Sequence, residues 1–178
     1  NCYLTFREGE KAAVIIDPAD NADYLVSKCR EFGVEPEAVL LTHAHFDHML
    51  AADDIRKKFG CKLYVHMDDE RMLNDPSLNL SGTLGTEQVS ISADHLLRDG
   101  DVLHFLNLEW KVMATPGHTA GSVCYYLPEE EVLFSGDTLF AESLGRTDLP
   151  TGSMSAIVRS IAEKLLALPD DIMVYPGI

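Results

Sequence analysis

Apolar positions along this chain fall into two rhythms. "CYLTF" at residues 2–6 and "KAAVIID" at 11–17 are short β-type runs on either side of Gly9, and Asp17-Pro18 closes the second. Over residues 20–32 the period changes: Ala22, Leu25, Val26, Cys29 and Phe32 recur at helical spacing, and Gly33 supplies the stop. "AVLLT" at 38–42 then reads as a buried strand. Ala52, Ile55 and Phe59 predict an amphipathic helix ended by Gly60, "CKLYVH" a further strand, and residues 68–74 a short helix. Residues 75–94 are rich in Ser, Thr, Gly and Asn with little periodicity, so they predict an extended surface loop.

The second half carries four β-type runs, "DVLHFL", "LEWKVMATP", "SVCYYLP" and "EVLFSGD", each bounded by Gly, Pro or acidic turn residues. After Met154, the residues Ile157, Val158, Ile161, Leu165 and Leu168 share one helical face, and "DIMVYPG" predicts a last strand. Two broadly similar halves, with helices between some of the strands, predict an α+β chain of two sheets packed face to face with helices outside. A chain of 178 residues is long enough to bury roughly 70% of its unfolded surface in one unit. No low-complexity linker divides it, so a single domain over residues 1–178 is expected. The chain opens inside a strand and stops as abruptly, and we expect this domain to lack a few residues at both ends.

Composition narrows the partners. Hydrophobic residues at 46% and charged residues at 24% are the globular balance, which excludes a disordered chain. Fourteen Lys plus Arg against twenty-nine Asp plus Glu give a formal charge of −15, a field that repels nucleic acid. No apolar run approaches the roughly 20 residues that span a bilayer, and no basic-then-apolar signal segment opens the chain. Cys2, Cys29, Cys61 and Cys124 lie scattered in apolar segments without a CxxC pair, as reduced thiols do in a cytoplasmic protein.

The chemistry concentrates after the third strand. "THAHFDH" at 42–48 holds three of the seven histidines and an aspartate on the connection where side chains leave the pleat and can converge. Neutral imidazoles and a carboxylate are the donors zinc takes at about 2.0 to 2.2 Å. The i, i+2 spacing lets one ion take His43 and His45, and Asp47 with His48 could serve a second. Further on, "ATPGHTAGS" presents His118 on a turn, and "LFSGDTLF" presents Asp137 on another. Alone, His118 is as readily a turn histidine bonded to backbone and Asp137 a turn cap. Beside the bend, they complete what a metal site assembled from loop tips requires. His66, His95 and His104 lack such company and are left out.

Together "THAHFDH", "PGHTAGS" and "FSGDTLF" resemble the metallo-β-lactamase superfamily, in the right order over essentially the whole chain. "GRTDLPTGS" at 145–153 makes it most similar to the small glyoxalase II-like (hydroxyacylglutathione hydrolase-like) members. The resemblance implies a four-layer αββα sandwich with the site at one edge, between the sheets. It implies zinc, one ion or two, with iron or manganese as the alternatives. One ion would be held by His43, His45, His118 and Asp137, the second by Asp47, His48 and the bridging Asp137. Two ions about 3.5 to 4 Å apart can share a hydroxide and polarise a carbonyl. Asp47 would orient that nucleophile, which makes it the catalytic residue. The activity implied is hydrolysis of small thioesters or similar acyl compounds, with glutathione as one acyl carrier.

Two departures qualify this. The family closes its second site with a histidine after a motif like "YPG", whereas "VYPG" here is followed by Ile178, and a cut chain is the expected reason. Full-length glyoxalase II also has a C-terminal helical domain and a Lys and Tyr after the GD turn; this loop offers Arg146 and Asp148 instead. Arg146 either grips a substrate carboxylate in a bidentate pair or pairs with Asp148 on a solvated loop. Two rival readings share the motifs. One is a persulfide dioxygenase, its single iron on His43 or His45 with His118 and Asp137; the other is a non-catalytic metal-binding module. The lactamase branch is disfavoured by Asp137, where many of its members carry Cys, and by the lack of a signal segment. The charge disfavours the nuclease branches.

Overall fold

The computed structural model describes residues 1–85 and 87–177, so the expectation that turns on Ile178 lies outside the described residues. Strand β2 (Ala12–Ile16) shows how the layers arise. Ala13 and Ile15 face one side, Val14 and Ile16 the other, and all four are buried. An apolar run without polar alternation is what a strand covered on both faces requires.

The first sheet runs β1 (Tyr3–Phe6), β2, β3 (Glu35–Leu40), β4 (Lys62–His66), β5 (His95–Leu97). Only β1 and β2 pair antiparallel. Parallel neighbours need crossovers, and helices α1 (Ala22–Phe32) and α3 (Ala52–Phe59) provide two of them. Asn21 caps α1 by accepting from the Tyr24 amide at 3.1 Å, and Gly33 ends it in the left-handed region at φ 68°. Val26, Cys29, Ala52 and Ile55 of these helices pack on Ala13, Ile15, Val39 and Leu63.

The second sheet runs β10 (Met173–Pro176), β9 (Val132–Gly136), β8 (Val123–Leu127), β7 (Leu108–Ala114), β6 (Val102–Phe105), with only β10 and β9 parallel. Val14, Ile16, Ala38 and Leu40 of the first sheet meet Trp110, Val112, Tyr125 and Phe134 of the second. On the outer face Cys124 and Leu133 pack with Leu165, after helix α4 (Met154–Ser160). Helices, sheet, sheet and helix make the predicted αββα sandwich. No described helix is long and apolar enough to cross a membrane.

Three expectations change in detail. The strand predicted at 38–42 starts at Glu35 and ends at Leu40, and its register slips around Pro36, whose missing N–H cannot join the ladder. Ending early frees Thr42 to His48 for the site. Residues 75–94 are not simply a surface loop. Asn79 is fully buried, donates to the carbonyls of Met72 and Val89 at 2.9 and 3.0 Å, and accepts from the Ser81 amide at 3.0 Å. Leu78, Val89 and Ile91 pack on the helical side of the first sheet. Finally, the last helical face is interrupted, as a π segment (Ile161–Leu165) follows α4.

Candidate metal centre

Because β3 stops at Leu40, the following residues turn over the end of the sandwich, and short helix α2 (Phe46–Met49) carries Asp47 and His48. The turn after β7 brings His118 against them, and the turn after β9 brings Asp137. One ligand atom each from His43, His45 and His118 lies within 4.8 Å of the others, and the same holds for His43, His48 and Asp137. His45 Nδ1 is 3.0 Å from His118 Nε2. Two nitrogens on one tetrahedral zinc, at about 2.0 to 2.1 Å each, stand about 3.3 Å apart, so this pair is already near chelating separation. Asp137 reaches both groups, with Oδ1 3.5 Å from His48 Nε2 and Oδ2 3.5 Å from His118 Nε2.

All four histidines are buried, yet among the described residues Nε2 of His43, His45 and His48 has no hydrogen bond, although His48 Nε2 faces Asp137 Oδ1 at 3.5 Å. Each orphaned buried nitrogen costs on the order of 1 to 3 kcal/mol. Those of His43 and His48, beside the His45 Nδ1–His118 Nε2 pair, fit a cation, and the donor set of imidazoles with one carboxylate is the one zinc prefers.

The outer hydrogen bonds assign the ring protons. His118 Nδ1 is 2.8 Å from the Arg146 carbonyl, which can only accept, so the proton sits on Nδ1 and Nε2 faces inward bare. His48 Nδ1 donates to Asp17 Oδ2 at 3.0 Å. The Thr42 hydroxyl gives its one proton to the same oxygen at 2.6 Å and therefore accepts from His43 Nδ1 at 3.1 Å. Burial pushes His43 well below the ordinary histidine value, helped by His48, His45 and His118. Burial also takes His45 down to about 3, with His118 next in weight. His48 goes the other way: burial lowers it, but Asp17, by charge and hydrogen bond, then Asp137 and Asp47, outweigh burial and raise it.

Glycine sets the close approaches. At Gly136 the backbone is left-handed, φ 48°, and an added Cβ would strike the Thr42 side chain. A Cβ on Gly177 would run into the Asp137 carboxylate.

The two remaining predicted residues stand apart. Asp47 is half-buried in the first turn of α2 and belongs to neither group of potential ligands, although its charge reaches His48. The Arg146 guanidinium makes two 2.8 Å bonds to Asp148 on an exposed loop, a pair that raises the arginine and holds Asp148 at about 2. The Arg146 carbonyl bonds His118 in the centre, and its charge adds, as the smallest cause, to what holds His45 low. Sequence reasoning missed two buried acids, Asp17 and Asp69. Asp17 had one signal, an acid directly after the apolar run "AAVII"; Asp69, within "MDDE", had none.

Residues 1–177 match the family described as the metallo-beta-lactamase superfamily, and the chain belongs to it. It is 39% identical over 178 residues to the probable metallo-hydrolase YqgX of Bacillus subtilis (strain 168), covering 99% of this chain and 83% of that one. It is 31% identical over 179 residues to the hydroxyacylglutathione hydrolase GloC of Haemophilus influenzae, covering 99% and 84%. Among solved structures it resembles BLEG-1, described as a B3 metallo-beta-lactamase, with a TM-score of 0.95 and 41% identity over 100% of this chain and 86% of that one.

Proposed function

We propose that this chain is a zinc-dependent hydrolase of thioesters and similar activated acyl compounds, of the glyoxalase II-like kind. The observation that carries the reading is the set of buried imidazole nitrogens that have no hydrogen bond among the described residues and gather beside Asp137. The name of the Haemophilus relative supports the substrate class. His43, His45, His118 and Asp137 would hold one ion; His48, with Asp137 shared, would hold a second, which Asp47, outside both groups of potential ligands, would join only by moving toward it. A divalent ion bound there supplies Lewis-acid polarisation of the acyl carbonyl and lowers the pKa of a coordinated water.

The chain's own residues do the rest. Asp17, Thr42 and the Arg146 carbonyl keep the Nδ1 protons outward, so that Nε2 of His48, His43 and His118 stays available as a donor. The proton on His45 Nδ1, aimed at the bare His118 Nε2 across 3.0 Å, must leave or move to the other ring nitrogen before both can ligate. Asp47, half-exposed beside His48, takes the proton of the attacking water. Arg146 binds a substrate carboxylate only by releasing Asp148.

The test is elemental analysis of aerobically and anaerobically purified protein, coupled to activity assays. We expect zinc and hydrolysis of S-D-lactoylglutathione that a chelator abolishes. One iron per chain, with oxygen uptake on glutathione persulfide and no thioesterase activity, would replace this reading with the dioxygenase. The resemblance to BLEG-1 favours β-lactam hydrolysis as a second reading, which turnover of nitrocefin in place of the thioester would establish. Asp47→Ala should lower turnover far more than folding stability; equal loss of both counts against a catalytic Asp47.

A further inference from the structure

We infer that Asp69 is a positioning residue for the metal centre, its carboxylate drawing the His43 to His45 bend and the His118 turn together at chelating separation. The inference rests on the metal-binding reading above.

Asp69 lies in the 3₁₀ segment Met67–Asn74 that follows β4, and it is fully buried. Its Oδ2 accepts from the Ala44 amide at 3.0 Å and from the Thr119 hydroxyl at 2.8 Å; its Oδ1 accepts from the Gly121 amide at 2.7 Å. Ala44 stands between His43 and His45, and Thr119 directly follows His118. One oxygen therefore links the backbone of the bend to the side chain of the turn. These two atoms can be no farther apart than two hydrogen-bond lengths. Across that link His45 Nδ1 and His118 Nε2 stand 3.0 Å apart.

The surroundings admit only a carboxylate. All three partners donate: two amides and a hydroxyl, which receives in turn from Ser122 Oγ at 2.8 Å while the Thr119 amide gives to that oxygen at 3.0 Å. An acceptor-only group satisfies all three, whereas a side-chain amide sets a donor against a donor in either orientation. Gly121 belongs to the same arrangement, since an added Cβ would meet the Asp69 amide nitrogen and Oδ1 at 2.5 and 2.6 Å. Burying a carboxylate on two amides and a hydroxyl is expensive, as the upward push of burial on Asp69 shows, and apolar packing would hold two loops together at lower cost. What apolar packing does not supply is directional control of the Ala44 and Gly121 amides and the Thr119 hydroxyl, which flank the ligands.

The experiment compares the full chain with D69N, T119V and T119S. Three readouts are followed: thermal unfolding of the metal-free protein, zinc affinity by competition with a chromophoric chelator, and the visible spectrum after cobalt substitution. D69N should fold, bind zinc about 10- to 100-fold more weakly, and give shifted cobalt bands. T119V, which keeps the carboxylate and its bond to the Gly121 amide but removes the hydroxyl link beside His118, should move affinity and spectrum in the same direction by less; T119S should behave as the unaltered chain. If D69N folds and matches the unaltered chain in affinity and spectrum, Asp69 is structural only. Should D69N not fold, T119V decides: affinity and cobalt spectrum equal to those of T119S overturn the inference, and loss in T119V alone upholds it. An unaltered chain that takes up no metal sinks the reading of the site itself, whereas equal binding by all four proteins sinks only the role of Asp69.

Discussion

Trp110 and His48 are both fully buried, one between the sheets and the other at their edge. Their surroundings treat polar atoms in opposite ways. Between the sheets Trp110 Nε1 donates to the Phe105 carbonyl at 3.2 Å, and the Tyr125 hydroxyl donates to the Leu41 carbonyl at 2.7 Å. Trp110 also stacks on Phe134 with ring centroids 6.0 Å apart. At the edge Nδ1 of His43 and His48 is tied down and His45 Nδ1 meets His118 Nε2, while among the described residues Nε2 of His43, His45 and His48 has no hydrogen bond. Buried polar groups are nearly always bonded, so the contrast separates a region the chain completes alone from one completed by something it binds.

The contrast breaks first under substitution of the ligands. His118→Ala should remove several kcal/mol of transition-state stabilisation, on the order of a thousand-fold in acyl hydrolysis, and lower zinc affinity as read by chelator competition. Trp110→Ala should do the reverse: unfolding free energy falls by about 3 to 5 kcal/mol in a denaturant titration, with zinc per folded molecule unchanged. A Trp110→Ala protein that stayed stable but lost its metal would show that the two regions are one.

The same contrast explains what the sequence could reveal. Ala13, Val14, Ile15 and Ile16 announce a doubly covered strand because the information is local. The bend is legible for the same reason, since four potential ligands crowd into residues 43–48. His118 and Asp137 needed the bend to give them meaning. Asp17 and Asp69 stayed hidden because their partners are remote: Asp17 bonds Thr42 across 25 positions, and Asp69 bonds Thr119 across 50. Without those partners an aspartate after a strand reads as a turn and one in "MDDE" as a solvated face. Polar composition likewise concealed residues 75–94, where Asn79 turns its amide on backbone carbonyls in the interior.

Acid should sharpen the comparison by a smaller step. His43 and His45 are held below the ordinary value of 6.5 in the fold, so on unfolding they gain protons that the native state excludes. Their contribution is fully present above about 6.5 and is lost as pH falls toward about 3 for His45, with a slope of at most about 1.4 kcal/mol per pH unit for each ring. His48 is raised, so its contribution is present below 6.5 and is lost as pH rises through its folded value. Metal-free protein should therefore lose stability on acidification, and His45→Ala should flatten that limb of the stability profile. An acid limb unchanged by His45→Ala would mean that the ring is not held neutral by burial.

Arg146 gives the smallest expected effect because its two ends belong to different regions. The carbonyl fixes the His118 proton, and any residue supplies a carbonyl. The guanidinium lies in solvent against Asp148, where an exposed pair adds little to stability. Arg146→Ala should thus leave the melting temperature, zinc stoichiometry and cobalt spectrum as they are. If the side chain leaves Asp148 to take a substrate carboxylate, the loss appears as a raised KM for acyl compounds bearing a carboxylate, with kcat and uncharged thioesters unaffected. If KM is unchanged for both classes, Arg146 serves the centre through its backbone alone; if the cobalt spectrum moves, the loop pair reaches further into the site than its exposure implies.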